Sequence, residues 1–245
     1  MSNNEMSDFF DLLSNSYQAP LQYGQDGYLS FDEYEKSVYL TMAQEAFVET
    51  CYNGKNQYDL KFEVTEEDRR TLDALVMTVT LRSPRSSQTD PNQHSWQEEP
   101  IVGNASIFTL PSDVMFVTYE SVKLESDDEC ANGSEAIVVP VTQDDFWKTY
   151  RNPFRGPNNH RALRLDRGKN TVEIVSNHPV GSYKVRYLRK PEPIVLVDMP
   201  PESNLSVYGF SQENQCGLDE RVHQKITQLA VNLALQRKSI GNSNT

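Results

Sequence analysis

The sequence predicts an α+β fold: a helical bundle, made of two N-terminal helices and a C-terminal helix, with an inserted antiparallel β domain. Two observations carry this expectation. Apolar residues recur at helical spacing up to about residue 82 and again over 219–238, but at extended spacing between about 101 and 197. The closing stripe of Val222, Ile226, Leu229 and Leu233 also needs partner helices to bury it, and the first two helices can supply them. The expected boundaries are an N-terminal arm at 1–29, the first part of the bundle at 30–82 and a polar loop at 83–100. A β-rich domain at 101–200 and a C-terminal helix with a short tail at 201–245 complete the chain.

The arm is mostly polar. Phe9, Phe10, Leu12 and Leu13 predict a short helix at 8–13, and a Pro/Gly/Tyr stretch follows that packs on a neighbour or on its own body. Ser30 and Glu33 have the spacing of a capping box and predict a helix start there, with Asn53-Gly54 as its end. Along that helix the apolar or small residues at 38, 39, 42, 43, 46, 47 and 51 form one broad stripe. Leu40, Val48 and Tyr52 occupy a second side, so the helix is expected to be sandwiched between neighbours. Thr65 opens the next helix, with Glu66, Glu67 and Asp68 in the first turn where negative charge favours the helix dipole. Leu72, Leu75, Val76 and Val79 supply its buried face, and Ser83-Pro84 closes it.

The run 83–100 has neither period nor core residues apart from Trp96 and reads as a long loop. Strands are expected at 105–110, 114–124, 136–141, 161–166, 171–175, 183–189 and 194–197, with turns at Asn132-Gly133, Gly168-Lys169-Asn170 and 179–182. Tyr183, Val185 and Tyr187 alternate with basic positions Lys184, Arg186 and Arg189, which predicts one core face and one basic face. A short helix is expected at 143–150.

Charge is segregated along the chain. Eleven of the 23 Lys and Arg residues lie within 148–190, a window with only two acids, Asp166 and Glu173. That window is net +9, leaving −21 for the other 202 residues and −12 overall. Like charges crowded on one segment repel, and exposed ion pairs stabilise little, so the segregation points to a surface that meets an acidic partner. The candidate interface residues are Arg151, Arg155, Arg161, Arg164, Arg186 and Arg189, interleaved with Tyr150 and Phe154.

Other chemistry has little support. Three well-separated cysteines, Cys51, Cys130 and Cys216, form no CxxC pair and fit a reducing compartment. The segment 22–33 imitates an EF-hand loop through Asp26, Gly27 and Glu33, but Gln22 and Gly24 stand where carboxylates are needed. His94, His160, His178 and His223 make no HxH or HExxH pair and read as surface histidines, so no metal site is expected. Phosphate-cradling glycine motifs and a GxSxG elbow are missing from the sequence, and Asp127-Asp128 and Asp144-Asp145 read as solvated or capping acids. No catalytic residue and no cofactor is therefore expected. The first residues have no basic n-region and no apolar run approaches membrane-span length, so the protein is expected to stay in the compartment where it is made, away from membranes.

Three stretches resemble a known family: YEKSVYLTMAQEAFVETCYNGKN followed by FEVTEEDRRTLDALV, NPFRGPNNHRALRLD leading to SYKVRYLRKPEPIVLVD, and HQKITQLAVNLALQRK. In order and distance they are similar to the portal-adaptor, or head-to-tail connector, proteins of short-tailed bacteriophages, closest to the ring proteins of crAss-like phages. The likeness covers about 30–80 and 150–238, while 83–145 matches nothing. It implies a non-enzymatic virion protein of the head–tail neck, assembled in the bacterial host cytoplasm into a homo-oligomeric ring, usually twelve-fold. The implied partners are its own copies, the portal protein, other neck or tail rings, and passing double-stranded DNA without sequence-specific contact. The alternative is a virion-associated or accessory nucleic-acid-binding protein that uses the basic window 148–190.

Overall fold

The computed structural model describes residues 1–18, 30–53, 66–82, 100–102, 105–126, 132–200 and 204–242, the side chains of Gln18 and of 238–242 excepted. The fold is α+β, and the chain forms two compact units: 1–75 together with 190–245, and 76–189.

The first unit holds the helices α1 (Asn3–Gln18), α2 (Glu33–Asn53), α3 (Glu66–Leu72) and α5 (Glu220–Asn242). Helix α1 is longer than the expected 8–13 because Ser2 and Glu5 cap it reciprocally, Ser2 N donating to Glu5 Oε2 at 2.7 Å and Glu5 N to Ser2 Oγ at 3.4 Å. Its Met6 and Phe10 are fully buried, and Phe10 meets Phe31 edge-on at 5.4 Å. The box at the start of α2 is not Ser30/Glu33 but Asp32/Glu35, with Glu35 N donating to Asp32 Oδ1 at 2.6 Å and Asp32 N to Glu35 Oε2 at 3.4 Å. Helix α5 packs against α2 and α1.

The buried side of α2 also differs from the expected stripe. Leu40, Ala43, Val48 and Cys51 are buried together with polar Lys36, Ser37, Thr41 and Gln44, while Val38, Tyr39, Met42, Ala46 and Phe47 are only half-buried. The hydroxyls explain this rotation. Leu196 N donates to Ser37 Oγ at 3.1 Å and Ile194 N to Thr41 Oγ1 at 3.0 Å, so α2 satisfies the backbone of 194–196 edge-on. With Val195 and Asn214 exchanging two backbone bonds of 2.9 Å on the other side, 194–197 forms an isolated bridge and not the expected strand.

Between α1 and α2, the buried Lys36 ammonium donates to Asp11 Oδ2 at 2.6 Å, Glu33 Oε1 at 2.9 Å and Ser7 Oγ at 3.0 Å. On α5 the buried residues are Val222, His223, Ile226, Thr227, Ala230, Val231 and Ala234, and the expected core residues Leu229 and Leu233 are half-buried. His223 is therefore no surface histidine: its Nε2 lies 3.0 Å from the Leu218 carbonyl.

The second expected helix is broken. Helix α3 ends at Leu72, a 3₁₀ turn covers Asp73–Leu75, and strand β1 runs Val76–Arg82. Positions 72, 75, 76 and 79 fit a helical period, but Val76, Thr78, Val79 and Thr80 are β-branched and pair in unbroken register with Tyr183–Leu188 and its flanks.

In the second unit β1 joins β2 (Ala105–Thr109), β3 (Val114–Leu124), β4 (Glu135–Pro140), β5 (Arg161–Gly168), β6 (Thr171–Val175) and β7 (Val180–Arg189) in a seven-stranded sheet of order β1-β7-β3-β4-β5-β6-β2. The sheet is not wholly antiparallel, since β4 and β5 run parallel. Twenty residues separate them, including α4 (Phe146–Tyr150), which is length enough for a crossover. The β5–β6 hairpin turns at Lys169 and Asn170, both at positive φ (50° and 58°), the signature of a primed two-residue turn. Side chains from all seven strands meet in one apolar cluster, including Val79, Phe108, Val122, Val138, Ala162, Ile174 and Tyr183. A sheet that buries one face against itself in this way is curled. On its outer face Phe146 of α4 covers Leu163, Leu165 and Val175.

Candidate functional site

The basic window divides by where its cations point. Helix α4 and the loop after it hold Arg151 and Arg155, both exposed, with the Arg151 guanidinium 5.6 Å from the centroid of Trp147. The loop has a fixed course. Asn152 Oδ1 accepts from Phe154 N at 2.9 Å and Arg155 N at 3.3 Å, and Gly156 N donates to the Asn152 carbonyl at 2.7 Å. Gly156 is required there, because a Cβ would lie 2.7 Å from the Tyr150 carbonyl oxygen and 2.8 Å from that of Asn152. Arg161, half-buried at the start of β5, donates to the Phe154 carbonyl at 3.0 Å.

Arg164 points the other way. Its side chain is 13% exposed and lies on the inner face of the sheet, where Nη1 donates to Glu120 Oε2 at 2.7 Å. The fully buried Tyr183 hydroxyl donates to the other oxygen, Glu120 Oε1. Asp166, exposed, adds a second contact to Arg164 Nε at 3.2 Å. Burial works against the Arg164 charge, but the bond and charge of Glu120 outweigh it and raise its pKa above the ordinary value. Burial first, then the Glu120 carboxylate, push the Tyr183 phenol upward as well. Arg167 is likewise held inside, with Nε 2.8 Å from Glu173 Oε2, while Glu173 Oε1 accepts from Ile101 N at 2.6 Å. Both acids of the window are thus bound to its own arginines.

On β7, Arg186 is half-buried on the outer face, opposite Thr78 and Tyr119, and Lys184 is exposed beside it. Arg189 does not share that face. It has the parity of the buried Tyr187, and it is Leu188, fully buried, that alternates with Arg186. The structure therefore brings Arg151, Arg155, Arg161 and Arg186 to outward or half-outward positions in this unit and takes Arg164 into the interior.

Among the described residues no three potential metal-ligating side chains come together, and no helix is long and apolar enough to cross a membrane. The EF-hand-like stretch lies outside the described residues up to Leu29, as do His94, Cys130 and Asp127-Asp128; Glu33, its last position, is bonded to Lys36 and Ser7. Cys51 is buried and Cys216 half-buried, both as free thiols. Burial, with the Asp68 charge next, pushes the Cys51 thiol up to about 12.

The family model of phage tail ring protein 3/4 matches residues 1–245. The chain belongs to this family. Among its relatives, Ring protein 3 of Bacteroides phage crAss001 is 39% identical over 241 residues, covering 98% of this chain and 97% of the relative. Ring protein 4/5 of the same phage is 27% identical over 253 residues, covering 96% and 92%. The resemblance carried by three stretches of sequence thus extends along the whole ring protein, including 83–145, where residue patterns alone matched nothing.

For this ring protein, sequence reasoning missed the inner-face group Glu120–Arg164–Tyr183 and the buried Lys36. A signal for the first existed. Glu120 has the parity of Val122 and Leu124, so a strand that buries those two buries an acid with them.

Proposed function

We propose that this ring protein is a structural subunit of the virion neck that assembles with its own copies into a twelve-fold ring between portal and tail, around the path of the genome. The single observation that carries this reading is the near-complete alignment with Ring protein 3 of crAss001. Helices α1, α2 and α5 serve as the helical bundle of the subunit, and the sheet as its β domain. Its work is non-catalytic: to hold position and leave an open channel. Contacts between copies run through Arg151, Arg155, Arg161, Arg186 and Arg189, with Arg164 acting within the subunit. The net charge of −12 supports a conduit through which DNA slides, because binding to DNA scales with the number of phosphates that cations neutralise.

Mass measurement of the purified protein, alone and with a portal ring, tests this reading. A twelve-subunit species, formed alone or on the portal, is the expected result. Only monomer under both conditions, together with salt-sensitive binding of free DNA, would instead favour a nucleic-acid-binding role.

A further inference from the structure

Part of the outer face of the β unit is apolar where an exposed sheet face should be polar. Strand β4 reads Ala136, Ile137, Val138, Val139, apolar on both faces. Ala136 and Val138 join the inner cluster, but Ile137 is 57% exposed and Val139 is exposed too. The registers place them. Ile137 lies between Ser121 of β3 and Arg161 of β5, and continuing the β3–β4 register by two pairs sets exposed Tyr119 alongside Val139. Tyr119 in turn faces Arg186, and Ser121 faces Lys184. One strip of Tyr119, Val139 and Ile137 is therefore rimmed by Arg161, Lys184 and Arg186. Glu135 is the acid at its edge, and its carboxylate accepts from Ser121 Oγ at 2.6 Å. Farther along the same face α4 covers Leu163 and Val175, and the strip is an apolar stretch of this face outside that cover. The Arg161 bond to the Phe154 carbonyl adds Phe154, 87% exposed, beside the rim.

An uncovered apolar strip with a cationic border calls for an apolar partner with an anionic border. The chain contains one. Residues 1–35 hold seven acids and no Lys or Arg. Helix α1 buries Asn3, Met6, Phe10 and Ser14, which turns Glu5, Asp8 and Leu12 outward on the opposite stripe, Leu12 being 64% exposed. Asp11 is excluded from the count, since Lys36 holds it.

Resting on the ring reading above, we infer that the Tyr119–Ile137–Val139 strip of one copy receives the outward stripe of α1 from a second copy, with Leu12 on the strip and Asp8 and Glu5 toward Lys184, Arg186 and Arg161. The contact is heterologous: two different surfaces meet, and the pairing repeats from copy to copy.

Two charge-reversed chains test it. Lys184→Glu/Arg186→Glu makes the border acidic, and Asp8→Lys/Asn15→Lys makes the α1 stripe basic without touching the Ser2–Glu5 cap. Circular dichroism and urea midpoints equal to wild type establish that each is folded. Each alone is expected to associate on the order of a hundredfold more weakly than wild type, because like charges then face one another. A 1:1 mixture restores assembly, since acid meets base at both kinds of contact in an alternating ring. Wild-type-like assembly of either variant alone overturns the inference while leaving the ring reading intact. Loss in both without rescue on mixing overturns α1 as the occupant. A wild type that forms no oligomer, alone or on the portal, sinks the ring reading itself. As a measurement independent of affinity, Leu12→Cys with Ile137→Cys in one chain should give a ladder of disulfide-linked multimers under oxidation, which neither single variant gives. A chain that assembles without a ladder counts against the pairing.

Discussion

Arg164→Met should be among the most damaging single substitutions in the β unit. The Glu120 side chain is 5% exposed and Arg164 13%, and the pair sits on the inner face of the curled sheet within 2.7 Å. Removing the guanidinium leaves a carboxylate in an apolar enclosure with the Tyr183 hydroxyl as its remaining buried donor. Breaking one side of such a pair costs about 3–5 kcal/mol. For a urea slope of about 1.5 kcal/mol/M this lowers the midpoint by roughly 2–3 M. Trp147 lies on α4 within this unit, so in a Trp96→Phe background tryptophan fluorescence follows the β unit. Replacing the whole group should be much milder: Glu120→Leu/Arg164→Met/Tyr183→Phe removes the charges and the hydroxyl together, and such exchanges are often neutral or stabilising. A single Arg164→Met variant that loses less than about 1 kcal/mol, or a triple variant no better than the single, would refute the argument that desolvation of an unpaired Glu120 sets the cost.

Four further outcomes follow from the structure. Lys36 has its pKa raised, burial opposing its charge but the bonds to Asp11 and Glu33 prevailing, so its contribution is complete below the unfolded lysine value near 10.4 and disappears as pH climbs through the higher folded value; Lys36→Met should flatten the alkaline fall in the far-ultraviolet melting temperature of the helical unit. Cys51, with a thiol near 12, should react with a disulfide reagent at pH 8 on the order of a thousandfold more slowly in the native protein than in urea, measured by absorbance of the released thiolate. Gly156→Ala forces a Cβ against two carbonyl oxygens and should cost about 1–3 kcal/mol in the fluorescence-detected urea transition. Asp32→Ala removes the acceptor that caps α2 and should cost about 1 kcal/mol by circular dichroism, a loss that Asp32→Ser largely restores.

Much of the β unit was legible because its physics is local. The edges of 114–124 and 171–175 coincide with the expected strands, and Lys169-Asn170 turns where the hairpin signal stood. What was not legible depended on partners distant in sequence. Strand β1 satisfies a helical period as well as an extended one, and only pairing with β7, about a hundred residues on, decides between them. On α2, counting apolar residues selects Val38, Met42 and Phe47, whereas the buried side is set by what Lys36, Ser37 and Thr41 can bond to. On α5 the small residues Ala230 and Ala234 are buried in place of Leu229 and Leu233, the pattern of a helix approached closely by a neighbour. The candidate interface suffered in the same way. Nothing in a run of arginines distinguishes Arg164 from Arg161 until Glu120, two strands away, is known to lie on the inner face.

Charge segregation also bears on which symmetry copies of this ring protein can adopt. An isologous pair places the same patch of both subunits face to face, so a contact through the Arg161–Lys184–Arg186 border would oppose cation to cation, and one through α1 would oppose Asp8 to Asp8. Each arrangement carries like-charge juxtaposition in addition to the desolvation of the apolar strip. A heterologous contact brings the two signs together and leaves the pair with one unused surface of each kind, one on each subunit. Such a contact continues until it closes on itself or grows into a filament. Two oppositely charged surfaces on one chain therefore act against the simple dimer as much as they favour the ring. This makes each charge-reversed variant alone sharper than a test of affinity, because a symmetric dimer through either surface faces like charge before and after the reversal and keeps its strength, whereas the heterologous contact passes from attraction to repulsion and weakens.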